Sequence, residues 1–209
     1  MFEAHYKKLL AKRLIFGRSA DYDSEKQMLL RLKTECGPVF TNKLEGMFKD
    51  IEISKDLVRS FKSSHKEQLL ATAVNVLVLT DGFWPTEAIV LLKNLPKEIL
   101  EYQQSFEKFY LGTFSGRRLT WMNSLSHCTI IGNFERGSKE LQVSTFQACV
   151  LFCFNTNESD PPALSAAQIR DVTGLEESDL ERTLQSLSLG KERLLLKSTK
   201  VSNHILSVD

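Results

Sequence analysis

An α+β chain is what the sequence predicts, on three observations. Apolar residues recur at helical spacing through the first third, the period switches to that of extended chain near Ala73, and a helix-start signature occurs three times in the last third before a short apolar run. The regions divide into a helical-bundle segment over residues 1–66, a small mixed α/β domain over 67–138, and a domain over 139–209 whose three helices and closing strand read as a winged helix.

In the first region Phe2, Tyr6, Leu9, Leu10 and Leu14 recur at helical spacing with Lys7, Lys8, Lys12 and Arg13 between them, so an amphipathic helix should end near Gly17. A second helix, from about Ser24 to Glu35, carries Met28, Leu29 and Leu32 and stops at Cys36-Gly37-Pro38, where glycine and proline both oppose continuation. Phe40, Leu44, Met47 and Phe48 mark a third. A fourth opens at Ser54 as N-cap and buries Leu57, Val58 and Phe61. Four helices on short connections make part of a bundle.

In the middle region Val74, Val76 and Val78 project to one face of an extended segment and Asn75, Leu77 and Leu79 to the other, a strand covered on most of both faces. Thr80-Asp81-Gly82 breaks it. Pro96 suits the first turn of a helix with Ile99, Leu100, Phe106, Phe109 and Tyr110 on its apolar stripe and Gly112 as its stop. Strands are expected at Leu119–Met122 and Cys128–Phe134. In the last region the capping-box pairs are Ser144 with Gln147, Ser165 with Gln168, and Ser178 with Glu181. Glu140–Val143 before them and Arg193–Lys197 after them read as strands. Asn155–Ala163, with Asp160-Pro161-Pro162, is the loop between the first two of these helices.

The chain carries 27 Lys+Arg against 26 Asp+Glu, a net charge of +1, with 42% hydrophobic and 25% charged residues. These values exclude a disordered or collagenous class and leave no long-range field to draw the whole chain onto nucleic acid or anionic lipid. The longest apolar run, Ala148 to Phe154, is far shorter than the ~20 residues of a membrane-spanning helix, so no membrane partner is expected. Four sparse cysteines and the lack of a signal-peptide core indicate a reducing compartment, cytoplasm or nucleus. Since Met1 to Tyr6 are already in helical register, the chain looks cut from something longer.

No constellation announces catalysis. Zinc needs convergent ligand pairs, but Cys149 and Cys153 sit one turn apart on an apolar helix, His127-Cys128 is the only neighbouring pair, and His5, His65 and His204 stand alone. Gly112-Thr113-Phe114-Ser115-Gly116-Arg117-Arg118 has three residues between its glycines and arginines after them, where a phosphate loop has four and then Lys-Ser/Thr. Neither a G-x-S-x-G element nor a Ser/His/Asp set stands out. No catalytic residue, metal or cofactor is therefore assigned. An alternative is a winged-helix protein that binds nucleic acid. Against it, the entrance of the would-be recognition helix, Glu176-Glu177-Ser178-Asp179-Leu180-Glu181-Arg182, sets four acids against one arginine.

Longer stretches carry a resemblance. Leu32-Lys33-Thr34-Glu35-Cys36-Gly37, Lys43-Leu44-Glu45-Gly46-Met47-Phe48-Lys49-Asp50-Ile51, Gly82-Phe83-Trp84-Pro85, Phe109-Tyr110-Leu111-Gly112, Ser115-Gly116-Arg117-Arg118-Leu119-Thr120-Trp121, Gln142-Val143-Ser144-Thr145-Phe146-Gln147 and Arg182-Thr183-Leu184-Gln185-Ser186-Leu187 follow one another in family order. Together they resemble the C-terminal homology region of cullins, over about Tyr6 to Lys197. The run Phe48 to Asp56 is most similar to the fourth cullin class.

The resemblance implies a non-catalytic scaffold fragment of a multisubunit RING ubiquitin ligase. Such a scaffold docks a RING-box protein, and through it a ubiquitin-conjugating enzyme. In that family the RING protein adds an extended segment to the cullin's sheet. Here the expected sheet residues are Val74, Val76, Val78, Leu119, Trp121 and Ile130. The resemblance also implies that the adaptor-binding N-terminal repeats, the second winged helix and the modifier-acceptor lysine are absent from this chain.

Overall fold

The computed structural model describes residues 2–18, 21–65, 74–85, 92–134, 137–155, 163–189, 193–198 and 205–208. The expected 66/67 boundary, Asp160-Pro161-Pro162 and His204 lie outside the described residues. Two compact units are present, Met1–Glu87 and Ala88–Asp209.

The first unit is built on helices α1 (Phe2–Ile15), α2 (Tyr22–Cys36) and α3 (Pro38–Ser64). At the end of α1, Arg18 N–H donates to Arg13 O at 2.9 Å and Gly17 N–H to Leu14 O at 3.4 Å, so the glycine stop read from sequence is a backbone cap. Asp21 caps α2 through the Asp23 N–H at 3.0 Å. Gly37 at φ +85° separates α2 from α3, and Pro38 opens α3 at a position that needs no N–H donor. The core joins Leu10, Ala11 and Leu14 of α1, Leu29 of α2, and Leu44, Met47, Phe48 and Ile51 of α3, with Trp84 inserted among them. Arg13 reaches Glu25 with two hydrogen bonds, tying α1 to α2.

The expected third and fourth helices are a single helix, α3. Ser54 is no N-cap, because its hydroxyl donates back to Asp50 O at 2.6 Å, a bond made inside a continuing helix. No glycine or proline between Phe48 and Ser54 interrupts the ladder.

Among the described residues the first helix of the second unit is α4 (Lys97–Thr113), preceded by Pro96 as N-cap. The helix runs through Gly112, the expected stop, and ends at Phe114, before Gly116 at φ +73° turns the chain. Strands β1 (His127–Phe134) and β2 (Gly137–Ser144) form an antiparallel hairpin in which Cys128 faces Val143 and Ile130 faces Leu141. The expected strand at Cys128–Phe134 is therefore present, and the hairpin spans the expected 138/139 boundary. Helices α5 (Thr145–Phe152), α6 (Ala166–Thr173) and α7 (Glu177–Ser188) follow, with β3 (Leu164–Ser165), β4 (Leu195–Ser198) and β5 (Ile205–Val208) in an antiparallel sheet of order β3-β5-β4. Phe146, Val150, Phe154, Ile169, Leu175, Leu180, Leu187 and Leu195 make its core.

Two of the three capping boxes form: Ser144 and Ser165 each accept from the backbone N–H three residues on, and Gln147 and Gln168 reach back. The third does not. Helix α7 begins at Glu177 with Glu176 as N-cap, which places Ser178 inside the first turn, and Leu180 N–H donates to Glu176 O at 2.9 Å instead. Leu175, 2% exposed, anchors the chain just before that start and decides where the helix can begin.

Candidate functional site

The residues expected to receive a partner strand fall in both units. In the first, residues 74–80 carry no strand ladder among the described residues, contrary to the strand expected at Val74–Leu79. Side chains of α3 hold the segment instead. Ser54, fully buried, accepts from Val78 N–H at 2.8 Å and lies 3.3 Å from Val78 O, while its own proton goes to the nearer carbonyl of Asp50. Asp50, 6% exposed, accepts from Thr80 N–H at 2.7 Å, from the Thr80 hydroxyl at 2.8 Å and from the Trp84 indole N–H at 2.7 Å. Lys62 donates to the Asn75 side chain at 3.2 Å.

The pairing has a geometric basis. Two residues of extended chain advance about 6.6 Å, and one helical turn of four residues about 6 Å. Every second residue of the segment therefore meets every fourth residue of α3, in opposite chain directions: Thr80 with Asp50, Val78 with Ser54. One turn earlier stands Gly46, where an added Cβ would lie 2.4 Å from the Phe83 ring, so only a glycine admits that ring. Leu77, Leu79 and Phe83 pack against the first core, Trp84 enters it, and Val76 is buried, whereas Val74 and Val78 are half-buried.

In the second unit Leu119 and Trp121 lie on an unladdered stretch, 117–122, where a strand was expected at Leu119–Met122. This stretch is held by rings: Trp121 meets Phe106 edge-on at 6.0 Å between centroids, and Arg117 stacks over Phe114 at 4.3 Å while donating to the Tyr110 hydroxyl at 3.1 Å. The Trp121 indole N–H is buried, with no hydrogen-bond partner among the described residues. Ile130 lies on the half-buried face of the hairpin, and Ile131 on the opposite face is 69% exposed. Among the described residues neither hairpin strand has a second strand neighbour.

Gly46, Asp50 and Ser54 were not singled out as a functional set from sequence. Their signal is a small residue, a carboxylate and a hydroxyl spaced four apart beside the apolar stripe of Met47 and Ile51. That pattern says a polar backbone will be received there, but not which backbone.

Packing accounts for the two helical cysteines. Cys149 is buried and desolvation pushes its thiol up to about 12, while Cys153 donates to Cys149 O at 3.2 Å. Among the described residues no three His, Cys, Asp or Glu side chains are gathered to hold a metal ion. At the start of α7, Arg182 is engaged by Asp179 at 2.6 Å, so the one cation at that acidic entrance is bound by its own helix.

These features define a class before they define a family: an α+β chain whose extended segments are held by helix side chains and ring contacts, with backbone edges left unladdered. Residues 1–58 match the family described as Cullin alpha solenoid domain, and residues 78–208 the family described as Cullin alpha+beta domain. Mouse Cullin-4A is 48% identical over 202 residues, covering 96% of this chain and 26% of that protein. Cullin-4 of Dictyostelium discoideum is 46% identical, covering 94% of this chain and 24% of its own length. Cullin-3A of Arabidopsis thaliana is 43% identical, with 98% and 28% covered. The chain belongs to the cullin family and spans about a quarter of the length of these relatives. Mouse Cullin-4A exceeds Arabidopsis Cullin-3A by only a few points of identity.

Proposed function

We propose that this chain is the part of a cullin scaffold that docks a RING-box protein by strand addition and so holds a ubiquitin-conjugating enzyme in a multisubunit ubiquitin ligase. The observation that carries the reading is the state of the extended segments. Residues 74–80 are held by side chains rather than a ladder, and the β1–β2 hairpin has no further strand neighbour among the described residues. Unladdered backbone of this kind is suited to capture of a partner strand.

The chain performs no chemistry itself in this reading. The conjugating enzyme's cysteine supplies the chemistry, and the scaffold sets distance and orientation. The helices α5, α6 and α7 with the sheet β3-β5-β4 are a winged-helix module used for structure rather than for reading DNA, because its would-be recognition helix opens on acids. The site of action is the cytoplasm and nucleus. Co-expression with a RING-box protein tests the docking reading: a stable one-to-one complex through size-exclusion chromatography is the expected result, and separate elution of the two chains would overturn it.

A further inference from the structure

In extended chain the N–H and C=O of one residue lie on the same side, and successive residues alternate sides. Ser54 lies within hydrogen-bond distance of both the N–H and the C=O of Val78, and Asp50 takes the N–H of Thr80, two residues further on. The side occupied by α3 is therefore that of the even-numbered residues. The backbone groups of Asn75, Leu77 and Leu79 point the other way, and among the described residues no hydrogen bond reaches any of them.

From this we infer that Ser54 and Asp50 are positioning residues that commit the even-numbered edge of residues 74–80 to α3 and leave Asn75, Leu77 and Leu79 as the edge on which the partner strand pairs. The inference rests on the strand-addition reading above and adds to it which backbone groups bond and which side chains select them. It has a physical cause in α3: a hydroxyl and a carboxylate one turn apart satisfy two backbone donors of an extended chain without a second strand, so that chain can be held with its other edge intact. Leu77 and Leu79 turn their side chains into the core, which fixes the segment against rotation about its own axis.

Amide hydrogen exchange by NMR on the 209-residue chain, alone and with a RING-box protein, tests this. In the free chain the Val78 and Thr80 amides should exchange slowly and those of Leu77 and Leu79 fast. In the complex Leu77 and Leu79 should slow by about tenfold or more, while Val78 and Thr80 keep their protection. Ser54→Ala should release the Val78 amide and weaken RING-box binding by roughly two- to tenfold, the range for one net hydrogen bond. If a complex forms with Leu77 and Leu79 still fast, the edge assignment is overturned while strand addition at another edge stands. If Ser54→Ala leaves both the Val78 amide and binding unchanged, Ser54 is not a positioning residue. If the wild-type chain forms no complex, the docking reading fails and this inference with it. The wild-type exchange pattern decides the edge even if Ser54→Ala does not fold.

Discussion

Residues 74–85 of the first unit and the α5–α7 module of the second are both held in place by polar groups and apolar anchors, but in opposite proportions. In the module the hydrogen bonds are backbone ladders and reciprocal caps, and an apolar core of eight buried side chains lies beneath them. No single polar group is decisive. Along residues 74–85 the backbone is received by two side chains of α3, and one carboxylate accepts three of the donors. A buried acceptor shared in this way concentrates the cost of its loss, because the orphaned buried Trp84 donor costs about 1–3 kcal/mol and the two Thr80 bonds, at an exposed residue, add a smaller amount. The contrast suits their roles in the proposed function: a segment that must offer one edge to a partner cannot use both edges for its own fold.

The contrast is broken most severely by Asp50→Ala, which strands the buried Trp84 donor and removes two charge-assisted bonds from Thr80, and should destabilise the first unit by about 4 kcal/mol. Denaturant unfolding followed by Trp84 emission in a Trp121→Phe background reads that unit, since these are the chain's 2 tryptophans. A loss below about 1 kcal/mol would mean that water or another side chain replaces the carboxylate. Next is Ile169→Ala, which removes a fully buried side chain from the module. Its cost should be about 3 kcal/mol by transfer and cavity terms, measured with Trp121 emission and circular dichroism.

A smaller effect sharpens the account of the caps. Ser144→Ala should cost about 1 kcal/mol, whereas Ser178→Ala should stay within about 0.5 kcal/mol of wild type because Ser178 caps nothing. Equal losses at the two serines would show that α7 begins at Ser178 after all. The smallest expected effect is at Glu45. The Thr41 hydroxyl at 2.7 Å and Lys33 at 3.0 Å hold its carboxyl below the usual carboxylate range. A lowered folded value favours the native state above the ordinary carboxylate range, and that stabilisation fades as pH falls through it. Glu45→Gln should therefore flatten the acid side of the stability profile slightly, by less than about 1 kcal/mol for so exposed a group. An unchanged profile would assign acid sensitivity to other carboxylates.

Much of this architecture was legible because it is local. The stop at Cys36-Gly37-Pro38, the capping boxes at Ser144 and Ser165, and the buried positions Leu10 and Leu14 of α1 and Phe106 and Tyr110 of α4 depend on residues within one or two turns of each other, whereas Phe2, Leu9 and Leu100 of the expected stripes are exposed. Periodicity and turn chemistry carry that information directly. The word-by-word likeness from Tyr6 to Lys197 likewise points to the family, and the family matches over residues 1–58 and 78–208 agree with it.

The tertiary structure decided what depends on residues distant in sequence. Ser54 reads as an N-cap or as an acceptor for backbone 24 residues away, and only the arrival of Val78 selects the second role. Val74–Leu79 and Leu119–Met122 have the composition of strands, yet helix side chains hold the first and aromatic rings the second. A strand is defined by its neighbour, and the alternation of side chains describes only its two faces. Ser178 has the spacing of a cap, but buried Leu175 sets the start of α7. In each case the local chemistry permits two outcomes of nearly equal energy, and the packing of a distant segment tips the choice.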